Sequence, residues 1–99
     1  MKSIISNINK AFENKVRLGI MAVLVVNEQV AFNTLKELLG VTDGNLASHL
    51  KYLEKSEYIT FVKSFENRKP KTNYYANEKG KKAFKEHILA IEQLLKLFF

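Results

Sequence analysis

The sequence predicts a mainly α fold with one small β-hairpin and a long C-terminal helix. Three observations carry this. Apolar residues recur at helical spacing in several separate stretches. One region, Tyr58 to Ala76, switches to β-branched and aromatic runs, YITFVKSF and TNYYA, around a polar ENRKPK. From Asn77 to the end the helical period returns. Ninety-nine residues suffice for one modest core, so residues 1–99 are read as a single domain.

Residues 3–12 (SIISNINKAF) place Ile4, Ile5, Ile8 and Phe12 on one face, which predicts a short leader helix over 1–13. Asn14 can cap the next helix, Lys15 to Asn27. Its stretch VRLGIMAVLVV is apolar nearly all round, the mark of a helix packed on several sides. Val30, Ala31 and Phe32 allow only a stub of strand. Asn33 or Thr34 then starts a helix whose Leu35, Leu38 and Leu39 face inward, and Gly40 ends it.

Thr42 suits an N-cap, and Asp43 suits the positive end of the helix it opens. In that helix, 42–55, Leu46, Ala47, Leu50 and Leu53 form the inward face. Gly44, Asn45, Ser48, Lys51, Tyr52 and Lys55 lie opposite, with His49 at the edge. Helix, short turn and helix make a helix-turn-helix. The hairpin follows, with a basic tip stiffened by Pro70. Asn77 and Glu78 open the last helix, 78–99, where Phe84, Ile88, Ile91, Leu95 and Phe98 make a stripe flanked by His87 and Leu94.

Composition excludes several classes. With 46% hydrophobic and 26% charged residues the chain is an ordinary globular one. It has no cysteine, which removes disulfides and thiolate chemistry and fits a reducing compartment. The longest apolar run, Leu18 to Val26, is about half a membrane span, and Lys10, Glu13, Lys15 and Arg17 interrupt any signal peptide. A cytoplasmic chain without membrane contact is expected. Two histidines, no phosphate-cradling glycine motif and no carboxylates paired near a histidine leave nothing that resembles an active site, so no enzyme, cofactor or metal is expected.

The net charge is +6, and residues 63–85 hold all of it: eight bases (Lys63, Arg68, Lys69, Lys71, Lys79, Lys81, Lys82, Lys85) against Glu66 and Glu78. Such segregation suits phosphate backbones or anionic membranes, although a Lys-rich solvated face looks the same.

Taken together, NKVRLGIMAVL, FNTLKELLGVTDGNLASHLKYLEKSEYI and RKPKTNYYANEKGKKAF resemble a winged helix-turn-helix transcriptional regulator of the MarR/ArsR-like kind, over roughly residues 14–84. The resemblance implies a three-helix core plus wing at 14–77, the TDGNLASHL-type segment as recognition helix, the hairpin as wing and the terminal helices as a dimerisation unit. Relatives of this kind bind small effectors between the dimer helices and the DNA-binding lobes, but nothing in the chain identifies one. Ala76 stands where a larger apolar residue is usual, and the missing cysteines argue against an ArsR-type thiolate metal sensor.

The residues themselves support the same assignment. A major groove admits one helix, and base edges are read by short side chains such as Asn and Ser. Asn45, Ser48, His49 and Tyr52 are therefore candidates for base or sugar, and Thr42, Lys51 and Asp43 for the backbone or the helix terminus. His49 could equally be a histidine packed at the core edge. Arg68, Lys69 and Lys71, in the wing 65–72, would reach the flanking minor groove or backbone; Arg17 is either a phosphate contact or structural.

The last helix, with its apolar distal half IEQLLKLFF, is longer than a small domain can cover, so a homodimer is expected through Phe84, Ile88, Ile91, Leu94, Leu95 and Phe98, with Ile4, Ile5 and Ile8 alongside. Folding back on its own core is the alternative. His87 either responds to pH or is packed at a seam. The expected function is a sequence-specific double-stranded DNA-binding regulator, a homodimeric repressor on a pseudo-palindromic operator. The rival is a winged-helix protein-interaction module without DNA binding.

Overall fold

The computed structural model describes residues 3–99. Helix α1 spans Lys15–Val25, and the Oδ1 of Asn14 caps it by accepting from the backbone N–H groups of Val16 and Arg17 at 2.9 and 3.1 Å. Its Val16, Ile20, Met21 and Leu24 are buried. Around them pack Leu35 of α2 (Phe32–Leu39), Leu46, Leu50 and Leu53 of α3 (Asp43–Lys55), and Ile59 and Ala76 from the sheet. The central packed helix is as the apolar run predicts.

The sheet has three antiparallel strands: β1 (Val30–Ala31), β2 (Ile59–Glu66) and β3 (Lys69–Ala76), in the order β1-β3-β2. Register runs from Ile59 opposite Ala76 to Glu66 opposite Lys69. Helix α4 spans Glu78–Lys96, and the Asn77 Oδ1 accepts from Gly80 N–H at 2.8 Å as its cap. Two backbone segments approach closely here: a Cβ on Gly80 would stand 2.0 Å from the Tyr58 carbonyl oxygen, so only glycine lets α4 leave the sheet at this point.

Several expectations need correction. The leader is not a continuous helix. Bonds from Ser6 N–H to Ser3 and from Ile8 N–H to Ile5 close single turns, and a 3-10 segment, Lys10–Phe12, follows under an Asn9 cap. Helix α2 starts at Phe32, one residue early, with Ala31 as an N-cap that offers no side-chain bond. Leu38 is exposed, and so is Ala47 of α3. The hairpin tip is only Asn67 and Arg68, both at positive φ (52° and 66°), while Lys69, Pro70 and Lys71 belong to β3. Two consecutive residues at positive φ make a type I′ turn, whose twist matches that of the strands. Pro70 is tolerated because its partner, Phe65, lies one step beyond the closing pair, where the proline nitrogen faces the outer edge.

Helix α4 covers one face against the core and leaves much of its apolar stripe open, as its length predicts. Gly80, His87 and Ala90 are buried and Ala83 and Phe84 half-buried, whereas Ile88, Leu95 and Phe98 remain exposed. The long helix and the hairpin draw the molecule out to 56 × 25 × 21 Å with a radius of gyration of 15.0 Å, above the ~13 Å of a compact chain of this size.

Candidate nucleic-acid interface

Helix α3 is set up by local chemistry. Gly40 takes the left-handed conformation (φ 63°) and its N–H donates to Lys36 O at 2.9 Å, ending α2. After Val41, the Thr42 Oγ1 accepts from Asn45 N–H at 3.2 Å, which starts α3. Across the turn Lys36 Nζ meets Asp43 Oδ1 at 2.8 Å, so the one acid of the first turn is neutralised and also faces the positive helix end.

With Leu46, Leu50 and Leu53 buried, α3 leaves Asn45, Ala47, Ser48, Lys51, Tyr52 and Lys55 exposed. Glu54 is half-buried on the flank. The exposed side thus carries short polar groups and two lysines, a surface suited to contact with base edges and phosphates. The Thr42 hydroxyl already serves as a cap. Asn45 and Ser48 side chains are free among the described hydrogen bonds. Ala47, expected on the inward face beside Leu46 and Leu50, is exposed instead. At 100° per residue it lies about 80° from the mean direction of Leu46 and Leu50, and its exposed methyl group is of the kind that can meet a thymine methyl.

His49 is half-buried and does not stand alone. Arg17 of α1 donates from Nε to Ala11 O at 2.7 Å and from Nη1 to His49 Nδ1 at 3.2 Å, and its Cζ lies 3.9 Å from the centre of the Tyr52 ring. Of the two roles open to Arg17, this geometry is the structural one. Burial pushes the His49 imidazole below the ordinary histidine value, and the Arg17 charge acts in the same direction.

The wing brings Arg68 to its tip and Lys69 beside it, while Lys71 is held by Glu66 at 2.6 Å. That hydrogen bond, reinforced by the lysine charge, pulls Glu66 below the usual carboxylate range. Among the described residues Arg68 and Lys69 form no ion pair. A cleft of about 640 Å³ between the wing and the start of α2, lined by residues including Asn33, Thr34, Lys69 and Lys71, joins the wing to the helix-turn-helix. Four further lysines sit on the first half of α4, where Lys79 and Lys81 meet Glu57 and Glu78 at 3.8 and 3.7 Å.

The residues expected at a dimer interface divide. Ile4 and Ile5 are 60% and 59% exposed, and Ile88, Leu95 and Phe98 are 43%, 50% and 70% exposed. Ile8, Ile91 and Leu94 are half-buried. Phe84 turns to the protomer's own core, edge-on to Phe12 with ring centres 5.4 Å apart. His87 is central rather than flanking: it is buried, and its Nδ1 accepts from Asn9 N–H at 3.0 Å, which ties the leader to α4. A groove lined by Ile4, Asn7, Ala90, Leu94 and Leu97 runs between leader and helix. No helix among the described residues is long and apolar enough to cross a membrane.

A family model described as a winged helix DNA-binding domain matches residues 16–95. The chain is 44% identical over 87 residues to an uncharacterized protein of Methanocaldococcus jannaschii, covering 88% of this chain and 95% of that one. Among solved structures it is similar to a transcriptional regulator homologue from Pyrococcus horikoshii, with a TM-score of 0.85 and 27% identity over 97% of this chain and 94% of that one. It also shares its fold with a MarR-like transcription regulator from Bacillus cereus, at a TM-score of 0.70 and 23% identity, covering 94% and 69% of the two chains.

Proposed function

Because the chain belongs to the winged helix DNA-binding domain family, we propose that it is a sequence-specific regulator of transcription that binds double-stranded DNA as a homodimer and represses by occupying a pseudo-palindromic operator in the cytoplasm. Its fold is that of transcriptional regulators and not of enzymes. The observation that carries the proposal is the exposed side of α3, where Asn45, Ala47, Ser48 and Lys51 stand free and the first-turn acid is already paired with Lys36. A purely solvated helix face usually mixes acids with bases along its length. This one does not.

The work is divided by chemistry. Asn45, Ser48, His49 and Tyr52 contact base edges or sugars in the major groove, Ala47 contacts a methyl, and Lys51 and the Thr42–Asp43 helix start lie along the backbone. Arg68 and Lys69 reach the flanking minor groove, with Lys71 behind them. Residues 14–77 form the reading unit, 78–99 the dimerisation helix, and the leader 1–13 lies against it. Ile88, Ile91, Leu94, Leu95 and Phe98, together with Ile4, Ile5 and Ile8, make the interface; Phe84, used by the protomer itself, is left out.

Selection of bound duplexes from a random pool at physiological salt tests the proposal. The expected result is a sequence with two inverted half-sites about one helical turn apart, and an affinity that falls steeply with salt. Equal affinity for selected and random duplexes would overturn it, and capture of one stoichiometric protein partner by a chain that binds no duplex at low salt would favour a protein-interaction module.

A further inference from the structure

We propose that Arg17 is the positioning residue of the reading helix: by donating to Nδ1 of His49 it leaves that ring a single proton at Nε2, so that His49 acts only as a hydrogen-bond donor and selects an acceptor edge on the base it meets. The inference rests on the DNA-reading proposal and deepens it by naming the chemistry of one contact.

Arginine is charged at every accessible pH and has no acceptor. Its Nη1 lies 3.2 Å from His49 Nδ1, so that nitrogen must supply a lone pair. Both forms of histidine that carry a proton at Nδ1, the other tautomer and the imidazolium, would set two donors against each other. The neutral ring with Nε2–H is what remains. Arg17 is itself fixed from three sides. Asn14 Oδ1 accepts from its backbone N–H at 3.1 Å, Ala11 O from its Nε at 2.7 Å, and the guanidinium plane rests on Tyr52 with Cζ 3.9 Å from the ring centre.

From α1, Arg17 is the charged group that faces the imidazole; on α3 itself, the Tyr52 phenol lies across the guanidinium. Phosphates near the reading helix would favour a protonated histidine. Burial opposes this first, and the guanidinium beside the ring adds to it. A donor-only Nε2–H pairs with guanine N7 or O6, adenine N7 or thymine O4, and it rejects cytosine, whose major-groove edge presents an amino donor.

Two measurements test this. Long-range proton–nitrogen NMR of the wild-type protein should find the His49 ring neutral at pH 7 with its proton on Nε2. In Arg17→Met, which keeps the packed stem and loses charge and donors, it should find both tautomers and titration at a higher pH than in the wild type, with burial still holding the ring below the ordinary histidine value. Duplex selection should show one position in each half-site from which wild-type protein excludes cytosine. Arg17→Met and His49→Ala should each relax that position by roughly tenfold and keep the preferences at all others, which also reports that the variants are folded. A proton on Nδ1 in the wild type would overturn the proposal, and that reading needs no variant. Unchanged preference at every position in either variant would do the same. If wild-type protein selects no sequence at all, the DNA-reading proposal falls first and this one with it; if wild type selects and Arg17→Met selects identically, only this one falls.

Discussion

At the scale of single residues, two glycines on helices separate what the fold requires from what it merely allows. Gly80 lies against the Tyr58 carbonyl, which also accepts from Asn77 N–H at 3.1 Å. A methyl group there meets backbone that cannot turn aside. Gly80→Ala should cost about 3 kcal/mol, the upper end for overpacking, and lower the thermal midpoint by more than ~10 °C; a drop within a few degrees would mean that α4 can shift freely. Gly44, in the first turn of α3, has nothing within 4 Å of its added Cβ. Gly44→Ala should stabilise by up to ~1 kcal/mol through helix propensity alone.

His87 makes a second residue-scale case, because its consequence depends on pH. Burial holds the imidazole below its ordinary value, partly offset by Glu13, and its Nδ1 is the acceptor for Asn9 N–H. The unfolded chain therefore binds a proton at a higher pH than the folded one. The stability of the leader's attachment is fully present above the unfolded value of ~6.5 and is lost as pH falls from there through the folded value. Melting curves at pH 7.5 and 5.5 should show a lower midpoint at the acid end, with His87→Gln flattening part of the difference. His49 contributes with the same sign, so the remaining slope belongs in part to it.

At the scale of elements, the wing and the reading helix can be tested apart. Arg68 occupies a left-handed position (φ 66°) in its turn, where glycine would be unstrained. Arg68→Gly should therefore raise stability by roughly 0.5–1 kcal/mol while weakening binding to every duplex alike and lowering the slope of affinity against salt by about 1. Asn45→Ala and Ser48→Ala should do the opposite: little change in stability, and a loss of discrimination worth ~1–3 kcal/mol at one position per half-site. A single variant that lowered both the salt slope and the discrimination at one position would undermine this division.

The same elements show what could be read from the sequence. The caps at Asn14, Thr42 and Asn77 and the stop at Gly40 were legible because each rests on one side chain or one backbone conformation and its nearest neighbours. Burial was less so. Leu38 and Ala47 have the right spacing for an inward face, and Phe84 and His87 for an outer stripe and its flank, but which part of a helix is covered depends on the elements it meets, and spacing does not contain that. The hairpin was legible and its tip was not, since ENRKPK is loop-like in composition while the I′ turn needs only Asn67 and Arg68. The role of Arg17 required three contacts from two other segments, and nothing in its own neighbourhood announced them.

At the scale of the whole molecule, the question is how weak single-helix contacts become useful affinity. On the proposed reading, one α3 and one wing tip would engage few phosphates and few bases, so a lone protomer should hold a half-site only modestly. Among the apolar residues left uncovered, Phe61, Val62 and Phe65 lie on the wing itself, whereas Ile4, Ile5, Ile88, Leu95 and Phe98 lie on the leader and on α4, away from α3 and the wing tip in sequence and element. A twofold pairing there leaves both reading helices free. It also makes the second half-site encounter intramolecular, which multiplies affinity by about 10²–10⁴ without any new DNA contact. Leu95→Glu with Phe98→Glu should therefore give a monomer in sedimentation, leave affinity for an isolated half-site within about twofold of wild type, and reduce affinity for the full palindrome by at least ~100-fold. The two charges lie outside the buried core, so the fold should persist, and unchanged circular dichroism would establish that. If wild-type protein sediments as a monomer at micromolar concentration yet binds the palindrome no more weakly for the two substitutions, the exposed stripe on α4 serves some other contact.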